Sequence, residues 1–161
     1  MLRELARQSR ETVHLAILEG PEVIYVEKID SPEPVAAYTR LGGRAPAHCV
    51  ATGKALLAQL RDADLQPLLR DLPRHLELTI CDPDELRTEL ARTRERGYAI
   101  NRGEWRDSVW GLASAIKSRN GAVLGVVGVS GPRYRLEPAE RCQFLSQLVR
   151  AEVDEIARAM S

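Results

Sequence analysis

The sequence predicts an α+β domain in which an antiparallel sheet of about five to six strands packs against helices. The order of segments predicts this class, because three β-like segments precede a run of helices and three more precede a long final helix. A chain of 161 residues, 44% hydrophobic and 29% charged, is typical of a single globular domain with a substantial core, here residues 1–161.

The N-terminal part of the chain predicts a short helix, a β-hairpin and a third extended segment. Apolar residues share one side of a helix over residues 2–9. They then alternate with other residues along 12–18 and 23–29, and the turn signals at 19–22 make these two segments a hairpin. Residues 34–41 predict the third strand, which two glycines end.

The stretch 44–60 predicts an extended approach to a helix that begins between Cys49 and Thr52. Pro46 removes a backbone donor and favours extended geometry before it, whereas the following residues repeat at helical spacing. The first N–H groups of a helix lack intrahelical partners and lie at the positive end of its dipole. A carboxylate could therefore bind at the backbone of Val50, Ala51 and Thr52. The alternative is a buried helix start that Thr52 caps.

The second half of the chain contains the strongest helix signal. Asp82 is an acidic N-cap, proline and glutamate follow at the first and third helical positions, and Gly97 predicts the end. A shorter helix is predicted from Asp62 or Asp64 through Leu69. The remaining predicted elements are strands at 98–100, 109–117 and 122–129, an Asn120-Gly121 hairpin turn, a strand end at Gly131-Pro132, and a helix over 137–160.

Charge and cysteine usage restrict the class of protein. Lys plus Arg and Asp plus Glu both number 23, so no overall basic field attracts nucleic acid or an anionic membrane. Three cysteines, far apart and odd in number, favour reduced thiols in the cytoplasm over a disulfide framework. The sequence contains no apolar run long enough for a membrane span and no apolar signal-peptide core. We expect a soluble cytoplasmic domain without a membrane partner.

No arrangement of reactive residues predicts an enzyme. His48 and Cys49 are the best candidates for a nucleophile and its base, but neighbours in sequence need not bring their side chains together, and Cys49 is better explained as a small buried hydrophobe. Glu104 and Asp107 could form a carboxylate pair, although such pairs are more often solvated. The histidines and cysteines lack metal-ligand spacing. We therefore predict no catalytic residues, no metal site and no cofactor.

The chain resembles the C-terminal effector-binding domain of IclR-type transcriptional regulators over nearly its whole length. The resemblance rests on the order and spacing of several short motifs. These are Leu-Arg-Glu-Leu-Ala at 2–6, Glu-Thr-Val-His-Leu at 11–15, the block from Pro46 through Gly53-Lys54 to Ala58, Gly-Tyr-Ala-Ile at 97–100, Glu104, and Val-Ser-Gly-Pro at 129–132.

The resemblance implies a GAF-like fold, a small-molecule pocket, and a homodimer or a dimer of dimers (homotetramer). Effectors in this family are typically small organic acids or aromatic compounds, bound between the sheet and the loop before the Gly-Lys helix. By position, the backbone of Val50, Ala51 and Thr52 would receive the acid. The family's polar pocket positions correspond to Asn101, Gly111, Gly128 and Ser130, and candidate apolar walls are Val35, Tyr38, Leu41 and Trp110.

Several of these positions depart from the usual family pattern. Asn101 replaces an aspartate, Gly111 a cysteine, Gly128 a serine, and Ser108 a glycine. Two extra glycines open volume, and an amide in place of a carboxylate removes a charge that would repel an anion. One interpretation is therefore an effector larger than a two- or three-carbon acid, such as an aromatic or otherwise bulky carboxylate. The other is that the glycines allow close backbone approach and the pocket is degenerate.

Family members carry an N-terminal winged helix-turn-helix, and no basic recognition helix is predicted within residues 1–161. DNA binding, as repressor or activator, is therefore expected only through a domain outside this chain. Two alternatives remain open: a standalone GAF-like sensor or interaction module, and an enzyme that uses His48 and Cys49.

Overall fold

The computed structural model describes residues 2–160, which contain six strands and six α-helices. The strands are β1 (Thr12–Glu19), β2 (Glu22–Ile29), β3 (Arg44–Pro46), β4 (Ala99–Arg102), β5 (Val109–Lys117) and β6 (Val123–Pro132). The helices are α1 (Leu2–Ser9), α2 (Ala51–Leu57), α3 (Asp62–Leu65), α4 (Pro83–Arg96), α5 (Arg133–Leu136) and α6 (Ala139–Ala159). None of these helices is long and apolar enough to cross a membrane.

All six strands form one antiparallel sheet in the order β3-β2-β1-β6-β5-β4. The two hairpins β1–β2 and β5–β6 lie side by side, because β1 pairs with β6 and Val13 lies opposite Val129. The predicted α+β class with an antiparallel sheet is confirmed. The turn at Asn120 and Gly121 is confirmed as well, since Ser118 N donates to the carbonyl oxygen of Ala122 across it.

Helices cover both faces of the sheet and produce two cores. On the first face, which we call the cavity face, α2 and α4 pack on Val23, Tyr25, Ala113 and Val126. On the second face, which we call the α6 face, α1 and α6 pack on Val13, Leu112, Val127 and Val129. Neighbouring residues such as Val126 and Val127 belong to different cores because side chains alternate across a strand.

The prediction of a third strand at residues 34–41 is wrong. This segment forms a loop, and the edge partner of β2 is β3, which pairs Pro46 with Glu22. The ladder reaches back only as far as the two glycines, since Gly42 N donates to the Tyr25 carbonyl and Tyr25 N donates to the Gly43 carbonyl. The 34–41 loop is instead held by Thr12, whose hydroxyl donates to the Ala37 carbonyl at 2.7 Å.

Several predicted ends of elements also differ from the structure. β6 continues through Pro132 because Val109 of β5 pairs with it, whereas Gly131-Pro132 was predicted to end this strand. The helix predicted over 137–160 is α6, Ala139–Ala159, and the short helix α5 before it was not predicted. The helix α2 ends at Leu57 rather than Leu60. The predicted cap of α4 is confirmed: the Asp82 carboxylate accepts from Glu85 N at 2.9 Å, and Gly97 ends the helix at φ +86°.

Candidate functional site

A cavity of about 720 Å³ lies on the cavity face, between the sheet and the start of α2. Its walls come from β1, β2, β5 and β6, from the loop before β3 and from the loop between β4 and β5. The lining residues are His14, Tyr25, Ala37, Tyr38, Thr39, Arg40, Gly43, Arg44, Val50, Ala51, Thr52, Asn101, Trp105, Arg106, Asp107, Val109, Gly111, Val129 and Ser130.

The first turn of α2 reaches the cavity because Gly53 allows close packing behind it. A Cβ at Gly53 would lie 2.1 Å from the Ala47 carbonyl oxygen, so only glycine fits. The N-cap is Val50 in extended geometry at φ −124°, and it makes no side-chain cap hydrogen bond. Thr52 therefore does not cap the helix, so the alternative of a buried helix start capped by Thr52 is wrong. Its side chain lies in the cavity wall, 1% exposed, and its Oγ1 has no hydrogen-bond partner among residues 2–160.

His14 is a cavity residue that sequence reasoning did not assign to the pocket. Its Nε2 lies 3.2 Å from Ser130 Oγ, and its ring packs edge-on against Tyr25 at 5.1 Å between centroids. Its Nδ1 has no hydrogen-bond partner in the described part of the chain. Burial lowers the pKa of His14 to about 4, so the imidazole is neutral at pH 7. The alternating pattern of β1 places His14 on this face, but only the sheet order brings it beside Ser130.

The two glycines that replace family side chains have different roles. Gly111 lines the cavity, with Ala51 Cβ and Ser130 Cβ within 3.8 Å of the position a Cβ would take. At Gly128 that position lies 2.7 Å from His14 Cε1 and 3.0 Å from Thr52 Cγ2. The expected gain in volume at Gly128 is therefore wrong, because the His14 ring occupies this space.

Two arginines at the cavity provide positive charge without a paired carboxylate. Arg40 and Arg106 form no ion pair with any residue from 2 to 160, whereas Arg44 pairs with Glu19 at 2.9 Å. The Arg106 guanidinium stacks over the Trp105 ring at 4.2 Å from its centroid. Burial raises the pKa of the Tyr25 hydroxyl, so Tyr25 stays protonated. The Arg106 charge acts in the opposite direction, and so does the nearby Thr52 hydroxyl, although Thr52 and Tyr25 form no hydrogen bond of standard geometry. Asp107 is the one carboxylate in the lining.

A buried ion pair holds the loop that carries Trp105 and Arg106. Lys54 Nζ of α2 lies 2.8 Å from Glu104 Oε1 and 3.0 Å from Oε2. Asn101 Oδ1 accepts from Glu104 N at 2.9 Å, and Thr79 Oγ1 donates to the Glu104 carbonyl at 2.6 Å. Glu104 is therefore the partner of Lys54, so the suggested carboxylate pair of Glu104 with Asp107 is wrong.

Most of the predicted pocket residues converge on this cavity. Val50, Ala51, Thr52, Asn101, Gly111, Ser130 and Tyr38 all line it, although the Tyr38 side chain is 80% exposed at the mouth. Val35 and Leu41 are exposed and lie outside the lining. Trp110 packs on the α6 face, because it neighbours Gly111 in β5 and alternate residues of a strand point to opposite faces.

His48 and Cys49 also lie outside the cavity. Both precede α2 in a single turn of 3-10 helix and are buried. Burial, and then the charge of Glu104, raises the pKa of the Cys49 thiol to about 12. A thiol that remains protonated at neutral pH is a poor nucleophile, so this pair lacks the property that Cys–His catalysis requires.

A partly enclosed cavity with aromatic walls, neutral buried polar groups and two arginines that have no carboxylate partner among residues 2–160 is typical of a ligand-binding α+β domain. The model of the bacterial transcriptional regulator IclR C-terminal family matches residues 1–158. The chain therefore belongs to the IclR family and is its effector-binding domain.

Individual relatives agree with this assignment. The chain is 36% identical over 152 residues to the HTH-type transcriptional regulator XynR of Escherichia coli, which covers 93% of the chain and 60% of XynR. It superposes on the crystal structure of the Thermotoga maritima IclR with a TM-score of 0.92, at 28% identity, over 98% of this chain and 64% of that one. For the C-terminal domain of E. coli KdgR the TM-score is 0.87, at 29% identity, over 98% and 92% of the two chains.

The chain spans about 60% of the length of the curated relatives it matches. Because these relatives are transcriptional regulators, they support a regulatory domain rather than an enzyme.

Proposed function

We propose that the cavity binds a bulky organic carboxylate, and that this effector alters DNA binding by a separate N-terminal domain of a cytoplasmic IclR-type regulator. The observation that carries the proposal is a pair of buried polar atoms in the cavity wall, Thr52 Oγ1 and His14 Nδ1, that have no hydrogen-bond partner among residues 2–160. A buried polar group without a partner costs about 1–3 kcal/mol. A ligand that hydrogen-bonds to both atoms would recover that free energy.

The charges around the cavity favour an anion. Arg40 and Arg106 have no carboxylate partner among residues 2–160, and the start of α2 lines the same space through Val50, Ala51 and Thr52. Because His14 is neutral, the part of the cavity wall formed by His14, Thr52 and Ser130 offers hydrogen-bonding groups but no charge. We infer that the carboxylate binds to the arginines or to the first turn of α2, and that a neutral polar group of the effector binds between His14 and Thr52.

The size of the cavity favours a bulky effector. A volume of about 720 Å³ is within the range of about 300–1,000 Å³ that is typical of pockets for drug-sized ligands. Tyr25 and Trp105 add aromatic surface to the lining. A two- or three-carbon acid would leave most of this surface without contacts, whereas an aromatic or branched carboxylate would contact it.

Thermal unfolding of the purified domain with matched ligand pairs tests this proposal. Each aromatic carboxylate is compared with its uncharged amide, and a ligand at one hundred times its Kd should stabilise the domain by about 2.7 kcal/mol. The carboxylate should bind more tightly than the amide. Arg106→Gln should weaken its binding, and Thr52→Val, which keeps the shape but removes the hydroxyl, should do the same.

Arg119→Gln is the matched control, because Arg119 is exposed in the β5–β6 turn away from the cavity. Equal stabilisation by acid and amide, or no stabilisation by any of them in a folded domain, would overturn the proposal. In the longer protein with its DNA-binding domain, a gel-shift titration with the same acid should then change operator affinity, in either direction.

We also propose that the domain assembles as a homodimer or a dimer of dimers. Most of the apolar stripe on α6 is unavailable for this, since Leu145, Val149 and Val153 are buried against the sheet. Exposed apolar residues remain on the β1–β2 hairpin, where Ile17 is 40% and Val26 is 42% exposed. Light scattering should report a mass above the monomer, and Ile17→Glu with Val26→Glu should lower it; an unchanged mass would exclude this surface.

A further inference from the structure

Three residues with metal-ligating side chains meet behind the start of α2, outside the effector cavity. One ring nitrogen of His48, the Cys49 sulfur and one ring nitrogen of His75 all lie within 4.8 Å of one another. His48 and Cys49 belong to the 3-10 turn before α2, and His75 belongs to the irregular segment between α3 and α4. The sequence gives no metal-ligand spacing here, because the fold alone brings His75 to this turn.

The hydrogen bond of His48 leaves its second nitrogen available. Nε2 lies 2.9 Å from the carbonyl oxygen of Pro73, which can only accept, so Nε2 carries the proton and the lone pair is on Nδ1. Metal-ligating histidines commonly donate their other N–H to a backbone carbonyl in this way, which fixes the tautomer and the ring orientation.

We propose that His48, Cys49 and His75 form a binding site for a zinc ion, with one position left to water. Two imidazole nitrogens and one thiolate are a set that Zn²⁺ prefers. Tetrahedral bond lengths of about 2.0–2.3 Å place ligand atoms roughly 3.3–3.8 Å apart, so these atoms would move closer together by at most about 1.5 Å. His75 is exposed and provides both that movement and the entry path.

Binding of zinc to Cys49 would release one proton. The Cys49 thiol loses its proton to solvent as the zinc–sulfur bond forms, and each imidazole binds through a nitrogen lone pair.

Zinc at this position would connect two segments that border the effector site. His48 and Cys49 precede Val50, the N-cap of α2, and the His75 segment continues to Thr79, which binds the Glu104 carbonyl. The ion would therefore fix the turn before α2 to the segment that supports the β4–β5 loop. The inference does not depend on the proposed effector, because none of the three ligands lines the cavity.

Cobalt absorption of the untagged, fully reduced domain tests the site. Co²⁺ should bind at one equivalent, with a near-ultraviolet sulfur-to-cobalt charge-transfer band and strong visible bands of tetrahedral cobalt, and Zn²⁺ should displace it. Loss of a second-shell partner alone lowers metal affinity about 10-fold to 100-fold, so His75→Ala should weaken binding by at least about tenfold. Because His75 is exposed, this variant should stay folded.

Two cysteine variants test whether Cys49 provides the sulfur ligand. Cys49→Ser should abolish the charge-transfer band, whereas Cys142→Ser, at a half-buried cysteine on α6, should leave it unchanged. A folded domain without the charge-transfer band would overturn the proposal. So would a band that survives in both His75→Ala and Cys49→Ser, or one that disappears in Cys142→Ser.

Discussion

Lys54 and Glu104 form a buried ion pair, with 2.8 Å between Nζ and Oε1 and side chains that are 1% and 6% exposed. The pair connects α2, whose first turn borders the cavity, to the β4–β5 loop that carries Trp105 and Arg106. Glu104 Oε2 also accepts from Arg102 N at 2.9 Å, so the carboxylate organises the loop as well as neutralising the lysine. The Gly-Lys motif of α2 thus has a structural role in this domain.

Removing one charge of this pair should strongly destabilise the domain. Glu104→Gln leaves the Lys54 ammonium buried without a counter-charge, a situation that typically costs about 3–5 kcal/mol. Urea unfolding measures this loss. Adding Lys54→Met removes the stranded charge, so the double variant should be more stable than Glu104→Gln alone. A single variant within about 1 kcal/mol of the unmodified domain would show that the pair is not buried in solution.

Acid should destabilise the domain through His14. Burial lowers its pKa from 6.5 to about 4, so between these values the unfolded chain binds a proton that the folded chain does not. The stabilising contribution is complete above pH 6.5 and decreases as the pH falls, by about 3 kcal/mol at pH 4. Urea unfolding from pH 7 to pH 4 should show this slope.

His14→Gln provides the comparison for that measurement. The variant should lose most of the slope, with a residual contribution of the same sign from His48, whose pKa burial also lowers. If the variant and the unmodified domain show the same pH dependence, His14 is not buried in its neutral form.

Gly128 should not tolerate the serine that is usual at its position in the family. A Cβ there would lie 2.7 Å from His14 Cε1, and forcing extra atoms into a packed site typically costs about 1–3 kcal/mol. Gly128→Ser should lower the urea midpoint, and combining it with His14→Ala should restore part of the loss. Two independent, additive effects would argue against direct contact between these residues.

The cap of α4 should contribute measurably to stability. Asp82→Ala removes the acceptor for Glu85 N, which typically costs about 1 kcal/mol. Asp84→Ala is the control within the same first turn, since the Asp84 side chain is not the cap. Urea unfolding of both variants should show the larger loss for Asp82→Ala, and a reversed order would contradict the capping assignment.

The sequence correctly predicted those ends of helices and hairpins that depend on residues close to one another in the chain. The α4 cap at Asp82, the glycine stop at Gly97 and the hairpin turn at Asn120 act within a few residues, so the sequence alone identifies them. Residues 34–41 show the limit of this approach. They have the composition of a strand, but β2 pairs with β3 instead, and only the tertiary ladder decides which segment forms the edge.

The sequence predicted the parts of the candidate site that belong to recognisable motifs. It did not predict the part that forms where segments distant in sequence come together. The start of α2, Asn101, Gly111 and Ser130 reach the cavity as the resemblance implied. His14 was missed because its role depends on β1 lying next to β6, which brings the imidazole over Gly128 and beside Ser130. The pattern of residues along β1 does not indicate that β6 is its neighbour in the sheet.

Glu11 forms a further buried cluster at the junction of α1 and β1. Its carboxylate is fully buried, lies 2.8 Å from Arg135 Nη2 and 3.3 Å from Arg141 Nη2, and leaves no room for a Cβ at Gly131. These ion pairs fix the start of β1 to α5 and α6, and three residues after Glu11 the chain reaches His14 in the cavity wall. The same strand therefore sets both the end of α1 and the position of a cavity residue.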